Sequence, residues 1–311
     1  MNLPIGFIVL DKPAGITSHD CVNRIRKIFG IKRVGHGGTL DPAVTGVLPI
    51  AVGHATRLLR YLPGDKKYIA TIQLGKSTET DDLEGQILEI KSVPQITEAH
   101  LKQHLTNFQG QVQQRPPYFS SIHIQGKRSY ELARKGELID LPERMVTIFE
   151  CRLLRWDPII NELEICVHCS AGTYIRSIAR DLGEMMRCGG CLKRLRRIEA
   201  LGFHENQAVP LPVKVNDNVH TESAFLLPIK SALSHLPRIE LNEQEQNHWR
   251  TGKTIHFNIS QLQSAPNPYL IGNNIFKNVV AVMDTLGEIE GIGNIDGLTT
   301  IKPKVVLNAK G

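Results

Sequence analysis

The sequence predicts an α+β protein of two domains. Residues 1–235 would form a mixed, mainly antiparallel sheet with flanking helices, and 236–311 a small β-rich module. Three observations lead there. A chain of 311 residues is long enough for two domains. Period-two and helical-period segments interleave without the regular rhythm of a doubly wound sheet. Residues 204–235 then lose any sustained period, with several prolines and polar residues, before β-like segments resume.

Taken in order, residues 7–10 read as a short strand, ended by the turn Asp11-Lys12-Pro13-Ala14-Gly15. Thr17 and Asp20 have capping-box spacing; Val22, Ile25, Ile28 and Phe29 follow as a helical apolar stripe that Gly30 stops. A glycine-rich loop comes next, Arg33-Val34-Gly35-His36-Gly37-Gly38-Thr39-Leu40-Asp41-Pro42. Tyr68, Ala70, Ile72 and Leu74 alternate with Ile69, Thr71 and Gln73, as in a strand. The acidic turn at 78–85 lacks the oxygen spacing of an EF-hand loop and reads as a solvated connection. Residues 97–110 suit a surface helix, 113–118 a polar proline-bearing loop, and 129–134 a short helix ended near Gly136. Alternation returns at 162–169. It leads through Ser170-Ala171-Gly172-Thr173 into a helix marked by Ile175, Ile178, Ala179, Leu182 and Met186, with Gly189 as its stop. Beyond 236 a helix near 242–250 stops at Gly252, and 279–283 with 289–295 form a hairpin about Leu286-Gly287. A polar insert at 260–274 interrupts this module.

Composition narrows the function class. Lys and Arg number 37 against 31 Asp and Glu, giving a net charge of +6 and favouring a polyanionic partner. The apolar run at 5–10 meets Asp11 and Lys12 at once and is too short for a signal-peptide core. No stretch approaches a membrane span, so a cytoplasmic protein without a membrane partner is expected. Four of the six cysteines form Cys166-x2-Cys169 and Cys188-x2-Cys191, a spacing that nominally suits structural zinc. On a strand at 162–169, however, Cys166 and Cys169 project to opposite faces, whereas a metal knuckle needs converging thiolates. No metal site is expected, nor any disulfide in a cytoplasmic chain.

Asp41 offers the chemistry. The glycines before it allow close backbone approach to a ligand, and Pro42 keeps its carboxylate on irregular backbone. A carboxylate beside an arginine stays ionised, which suits a nucleophile or an electrostatic stabiliser better than a general acid. Such groups act at sugar anomeric carbons, where an oxocarbenium-like state develops. With no obvious second catalytic carboxylate, simple glycoside hydrolysis fits poorly. The glycine spacing is neither Walker nor Rossmann, and aspartyl-phosphate chemistry would lack a companion magnesium motif.

Five segments occur in one order: Asp11-Lys12-Pro13-x-Gly15-x-Thr17-Ser18, Gly35-His36-x-Gly38-Thr39-Leu40-Asp41-Pro42-x2-Thr45-Gly46-Val47-Leu48-Pro49, Lys67-Tyr68, Gly172-Thr173-Tyr174-Ile175-Arg176 and Leu195-Arg196-Arg197. Together they resemble the TruB family, the tRNA pseudouridine-55 synthases, over residues 5 to about 235. The remainder resembles the PUA-type RNA-binding barrel of bacterial members. The resemblance implies a pseudouridine-synthase-like catalytic domain at 1–235, with 204–235 as tail and connection, and a PUA-like domain at 236–311. It implies an isomerase acting on one uridine in the T-loop of tRNA. The base is flipped out, detached at N1, rotated and rejoined through C5. Neither redox change nor hydrolysis occurs, so no cofactor is implied. The partner is tRNA, through its T-arm stem-loop, and no obligate protein partner is inferred. Leaving the stack costs the base about a few kcal/mol, recovered in pocket contacts.

By the same resemblance the catalytic residues are Asp41, Tyr68 and Arg176. Asp41 acts as nucleophile or steers a glycal-forming elimination, two roles that stay open. Tyr68 stacks on the flipped uracil and is a candidate to deprotonate the ribose, while Arg176 pairs with Asp41. His36 fills the space the base vacates, and Tyr174 and Leu195 line the uracil pocket. Lys66, Lys67, Lys127, Arg128, Lys193, Arg194, Arg196 and Arg197 are candidate phosphate contacts, making binding salt-sensitive. One departure stands out: Phe119-Ser120-Ser121-Ile122-His123 puts a histidine where the family usually has lysine. Two other classes remain in view, a non-catalytic tRNA-binding or tRNA-folding protein on the same scaffold and a zinc-ribbon-type binding protein.

Overall fold

The computed structural model describes residues 4–120, 122–124, 126–137, 139–212, 225–265, 276 and 278–309. The chain is mixed α+β, as the sequence predicts, with a large mixed sheet and a curled C-terminal sheet. Two compact units emerge: Met1–Pro42, Gly46–Pro63 and Ala200–Gly311 form the first, Ala43–Thr45 and Gly64–Glu199 the second.

In the first unit the apolar run at 7–10 lies within the strand Gly6–Lys12. This strand pairs antiparallel with Thr45–Val52, Gly6 opposite Val52 and Lys12 opposite Gly46, and parallel with Val209–Pro210. Thr45–Val52 escapes the sequence reading because seven of its eight residues are buried, so no polar face alternates with an apolar one. The Ser18–Phe29 helix has the predicted capping box: Asp20 N donates to Thr17 Oγ1 at 3.1 Å, and Thr17 N to Asp20 Oδ2 at 2.9 Å. Gly30 closes it in the left-handed region. The core of this unit draws on both ends of the chain, Phe7, Val9, Val47 and Leu58 packing in one cluster with Phe203, Leu236, Ala281 and Val305. Polar bonds secure the same junction: Arg57 donates to Val306 O at 2.7 Å, and Phe7 and Leu227 exchange backbone bonds at 3.1 and 2.7 Å.

The C-terminal sheet runs in the order Ile255–His256, Thr300–Val306, Ile289–Asp296, Val279–Met283, Arg238–Glu240, Leu262–Gln263. Only Arg238–Glu240 and Val279–Met283 pair in parallel. The predicted hairpin and the helix Glu243–Arg250 are both present. Trp249 of that helix packs fully buried among Ile239, Val280, Val282 and Ile301. Of the polar insert at 260–274, residues 266–274 lie outside the described residues; Leu262–Gln263 forms a strand.

In the second unit the strands run Gly190–Ala200, Lys66–Leu74, Glu162–Cys169, Arg144–Asp157, Gly110–Gln114. Lys66–Leu74 alternates as predicted, with Tyr68, Ala70, Ile72 and Leu74 buried. The 14-residue strand Arg144–Asp157 is unannounced by its sequence, since its ladder with Glu162–Cys169 slips after Ile148 and Leu153 and breaks the period. The loop predicted at 113–118 starts as strand instead: Gln113 and Gln114 pair with Met145 and Arg144. Helix Ile175–Met185 packs directly on the Gly190 backbone, where a Cβ on Gly183 would lie 2.0 Å from Gly190 N. All six cysteines are buried free thiols.

Candidate active site

In the first unit Asp41 is an exposed residue on irregular backbone, and both of its neighbours are tied down. The buried Ser18 hydroxyl accepts from Leu40 N at 2.9 Å and donates to Leu40 O at 3.1 Å. On the other side Pro42 O accepts from Lys12 Nζ at 3.0 Å and from Gly15 N at 2.9 Å. Lys12 is 0% exposed and donates also to Pro13 O at 2.8 Å and Ile16 O at 2.7 Å. The segment 11–18 is therefore the cradle of the segment 35–42. Gly38, at φ 105°, occupies a conformation closed to other residues. His36 ends the strand Val34–His36, half-buried and opposite Ile50.

In the second unit Arg176 lies in the first turn of Ile175–Met185 and is buried. Its guanidinium donates to Thr80 O and Phe119 O, each at 3.0 Å, and faces Asp82 Oδ2 at 3.5 Å. Asp82 Oδ1 in turn accepts from Thr80 Oγ1 at 2.5 Å and from Glu84 N at 3.1 Å. One helical turn on, Arg180 grips Asp81 at 2.9 Å, Asp181 at 2.8 Å and Arg115 O at 2.9 Å. Burial pushes the Asp81 carboxyl up, with Arg180 and Arg176 pulling against it. The acidic turn at 78–85 is thus more than a solvated connection: two of its carboxylates, Asp81 and Asp82, face Arg180 and Arg176. Tyr174, half-buried, precedes the helix, its N–H donating to Gln114 Oε1 at 2.8 Å and its carbonyl accepting from Gln114 Nε2 at 3.1 Å. Tyr68 is 7% exposed and opposite Val167, and its hydroxyl bonds to Arg197. Leu195 is half-buried on Gly190–Ala200.

Residues 26–175 match the model of the TruB family pseudouridylate synthase N-terminal domain. The chain is 50% identical to the tRNA pseudouridine synthase B of Prochlorococcus marinus (strain MIT 9313) and 51% to that of Synechococcus sp. (strain WH7803), each alignment covering all of both chains. This chain belongs to the TruB family of pseudouridylate synthases. Its fold also matches a chain in the crystal structure of a Cbf5-Nop10-Gar1 complex, with a TM-score of 0.70 at 24% identity, covering 98% of this chain and 85% of that one.

The basic residues of this TruB-family chain separate into distinct environments. Arg194, Lys127 and Arg128 are exposed, while Lys66, Lys67 and Arg196 are half-buried. Lys193 is engaged by Glu162, and Lys67 lies 3.7 Å from Glu150. Arg197 departs from the expectation of a phosphate contact: it is 0% exposed and turned to Tyr68, out of reach of a solvated backbone. Strand geometry explains the split, because consecutive residues of 193–197 project to opposite faces. His123 is exposed and paired opposite Arg128 in a two-stranded hairpin. Lys12, Ser18, Gln114, Asp81, Asp82 and Arg180 are supporting residues that sequence reasoning missed. Only Lys12 and Ser18 carried a signal, as members of a family segment. Among the described residues, no helix is long and apolar enough to cross a membrane.

Proposed function

We propose that this chain converts uridine 55 in the T-loop of tRNA to pseudouridine. The observation that carries the reading is about 50% identity along the full length of relatives named tRNA pseudouridine synthase B. The reaction is an intramolecular transfer. The C1′–N1 bond breaks, the base turns, and C1′–C5 forms as the C5 proton leaves and N1 gains one, so no oxidant, reductant or cofactor is consumed. Asp41, exposed yet anchored on both sides, suits attack on C1′ or stabilisation of its positive charge during elimination. Either role needs an ionised carboxylate, and by the family resemblance Arg176 is the third catalytic candidate. Tyr68 stacks on the extruded uracil, Tyr174 and Leu195 line its pocket, and His36 takes its former place. Arg194, Lys127 and Arg128 meet phosphates. Residues 1–235 form the catalytic domain and 236–311 a PUA-like RNA-binding domain, working in the cytoplasm on the T-arm stem-loop.

Tritium at C5 of uridine in an unmodified tRNA transcript tests this. Wild-type enzyme should release one tritium per tRNA and leave pseudouridine at position 55. Asp41→Asn should bind tRNA with little change and release none. Tight tRNA binding by the wild type without release would put a non-catalytic binding or folding protein in its place.

A further inference from the structure

We propose that Arg197 is a positioning residue for Tyr68, its buried guanidinium fixing the direction of the phenol hydroxyl. The inference rests on the reading of Tyr68 as the group that meets the flipped nucleotide. Arg197 is 0% exposed on Gly190–Ala200, the neighbour of the Lys66–Leu74 strand that carries Tyr68. Tyr68 is itself 7% exposed, and its hydroxyl is hydrogen-bonded to Arg197. Withdrawing a guanidinium from water is costly, and an apolar residue would often serve stability as well or better. Burial accordingly pulls the guanidinium down from its ordinary range, while its attraction to Tyr68 holds it up. Lys66, two residues before Tyr68 and so on the same strand face, adds a repelling cation close to Arg197. A cation retained under these conditions, and directed at one phenol oxygen, does what packing alone does not. It fixes the direction of the phenol hydroxyl. Orientation of this kind governs the rate of conversion rather than the affinity for RNA.

A double-mutant cycle on the full-length enzyme tests this, with single-turnover tritium release for rate and filter binding for affinity. Arg197→Met should slow conversion about 10²-fold. Its tRNA Kd should stay within about threefold of wild type. In a Tyr68→Phe background the same substitution should cost nothing further, and Arg197→Lys should restore part of the wild-type rate. Losses that multiply, or binding that weakens as much as conversion slows, overturn the proposal. If Arg197→Met does not fold, Arg197→Lys carries the cycle; failure of both to fold makes the arginine a structural residue and also overturns it. Full activity of Tyr68→Phe alone removes the reading of Tyr68 instead, a separate outcome.

Discussion

Replacing Lys12 by methionine removes the ammonium that grips the Asp41 loop while keeping most of the side-chain volume. Three hydrogen bonds go with it, to Pro13 O at 2.8 Å, Ile16 O at 2.7 Å and Pro42 O at 3.0 Å. At about 1.5–3 kcal/mol for each bond to a charged group, the gross loss is roughly 5–9 kcal/mol. Methionine escapes the several kcal/mol that stripping water from the ammonium costs. Pro42 O also keeps the Gly15 N–H at 2.9 Å. The net destabilisation should be about 2–4 kcal/mol, which for a unit of this size lowers Tm by roughly 5–15 °C. Turnover of the folded variant should fall only a few-fold, because Ser18 still holds Leu40 from the other side. Combining Lys12→Met with Ser18→Ala frees both flanks of the carboxylate and should cost about 10²-fold in rate. Thermal melting followed by circular dichroism reads the first effect, and single-turnover tritium release the second. A Lys12→Met enzyme that melts with the wild type would refute the argument that this ammonium anchors the loop.

Further expectations follow from other contacts. Gly183→Ala brings a Cβ to 2.0 Å from Gly190 N and 2.2 Å from Gly189 C, both backbone atoms that cannot step aside. It should cost about 3 kcal/mol in urea unfolding, and an unchanged midpoint would contradict that contact. At Asp65, burial pushes the carboxyl up, but the His168 ring at 2.7 Å and a backbone bond outweigh it and leave the group below its ordinary value. A depressed folded-state value contributes stability above the unfolded value of about 4, and that stability is lost as pH falls through the lower folded-state value. Asp65→Asn should therefore flatten the acid-side decline in urea midpoint between about pH 5 and 3, and a parallel decline would exclude this source. Exposed Arg194, changed to Ala, should reduce the slope of log affinity against log salt by about 1. Lys193→Ala, already committed to Glu162, should leave the slope alone; equal changes would erase the distinction.

What could be read from sequence was local. The Thr17–Asp20 cap, the alternation around Tyr68 and the hairpin at 279–295 each reside within a few residues, and the structure contains all three. Two strands stayed hidden for opposite reasons. Thr45–Val52 is covered on both faces and never alternates, whereas Arg144–Asp157 slips register twice and so loses its period. The candidate site was legible only as a resemblance: the family segments mark Asp41, Tyr68 and Arg176 as candidates. Some of the groups that hold Arg176 and Arg180, Thr80 O and Asp81 among them, stand nearly a hundred residues earlier, in a turn whose carboxylates look solvated when read alone. Arg197 misleads by company, since a run of basic residues on a strand is divided between two faces that only the fold distinguishes.

The cluster joining Phe7 and Val47 to Ala281 and Val305 packs together segments that are far apart in the order of synthesis. The strand leading to Lys12 is made well before Ala281 and Val305, which join Val47 and Leu58 in the cluster that Phe7 and Val9 belong to. The Lys12, Gly15 and Ser18 contacts that hold the Asp41 loop lie close to it in sequence, while part of the apolar cluster beneath Gly6–Lys12 comes from far downstream. A frameshift or proteolytic cut late in the chain is felt at the opposite end, in the segment that cradles the carboxylate.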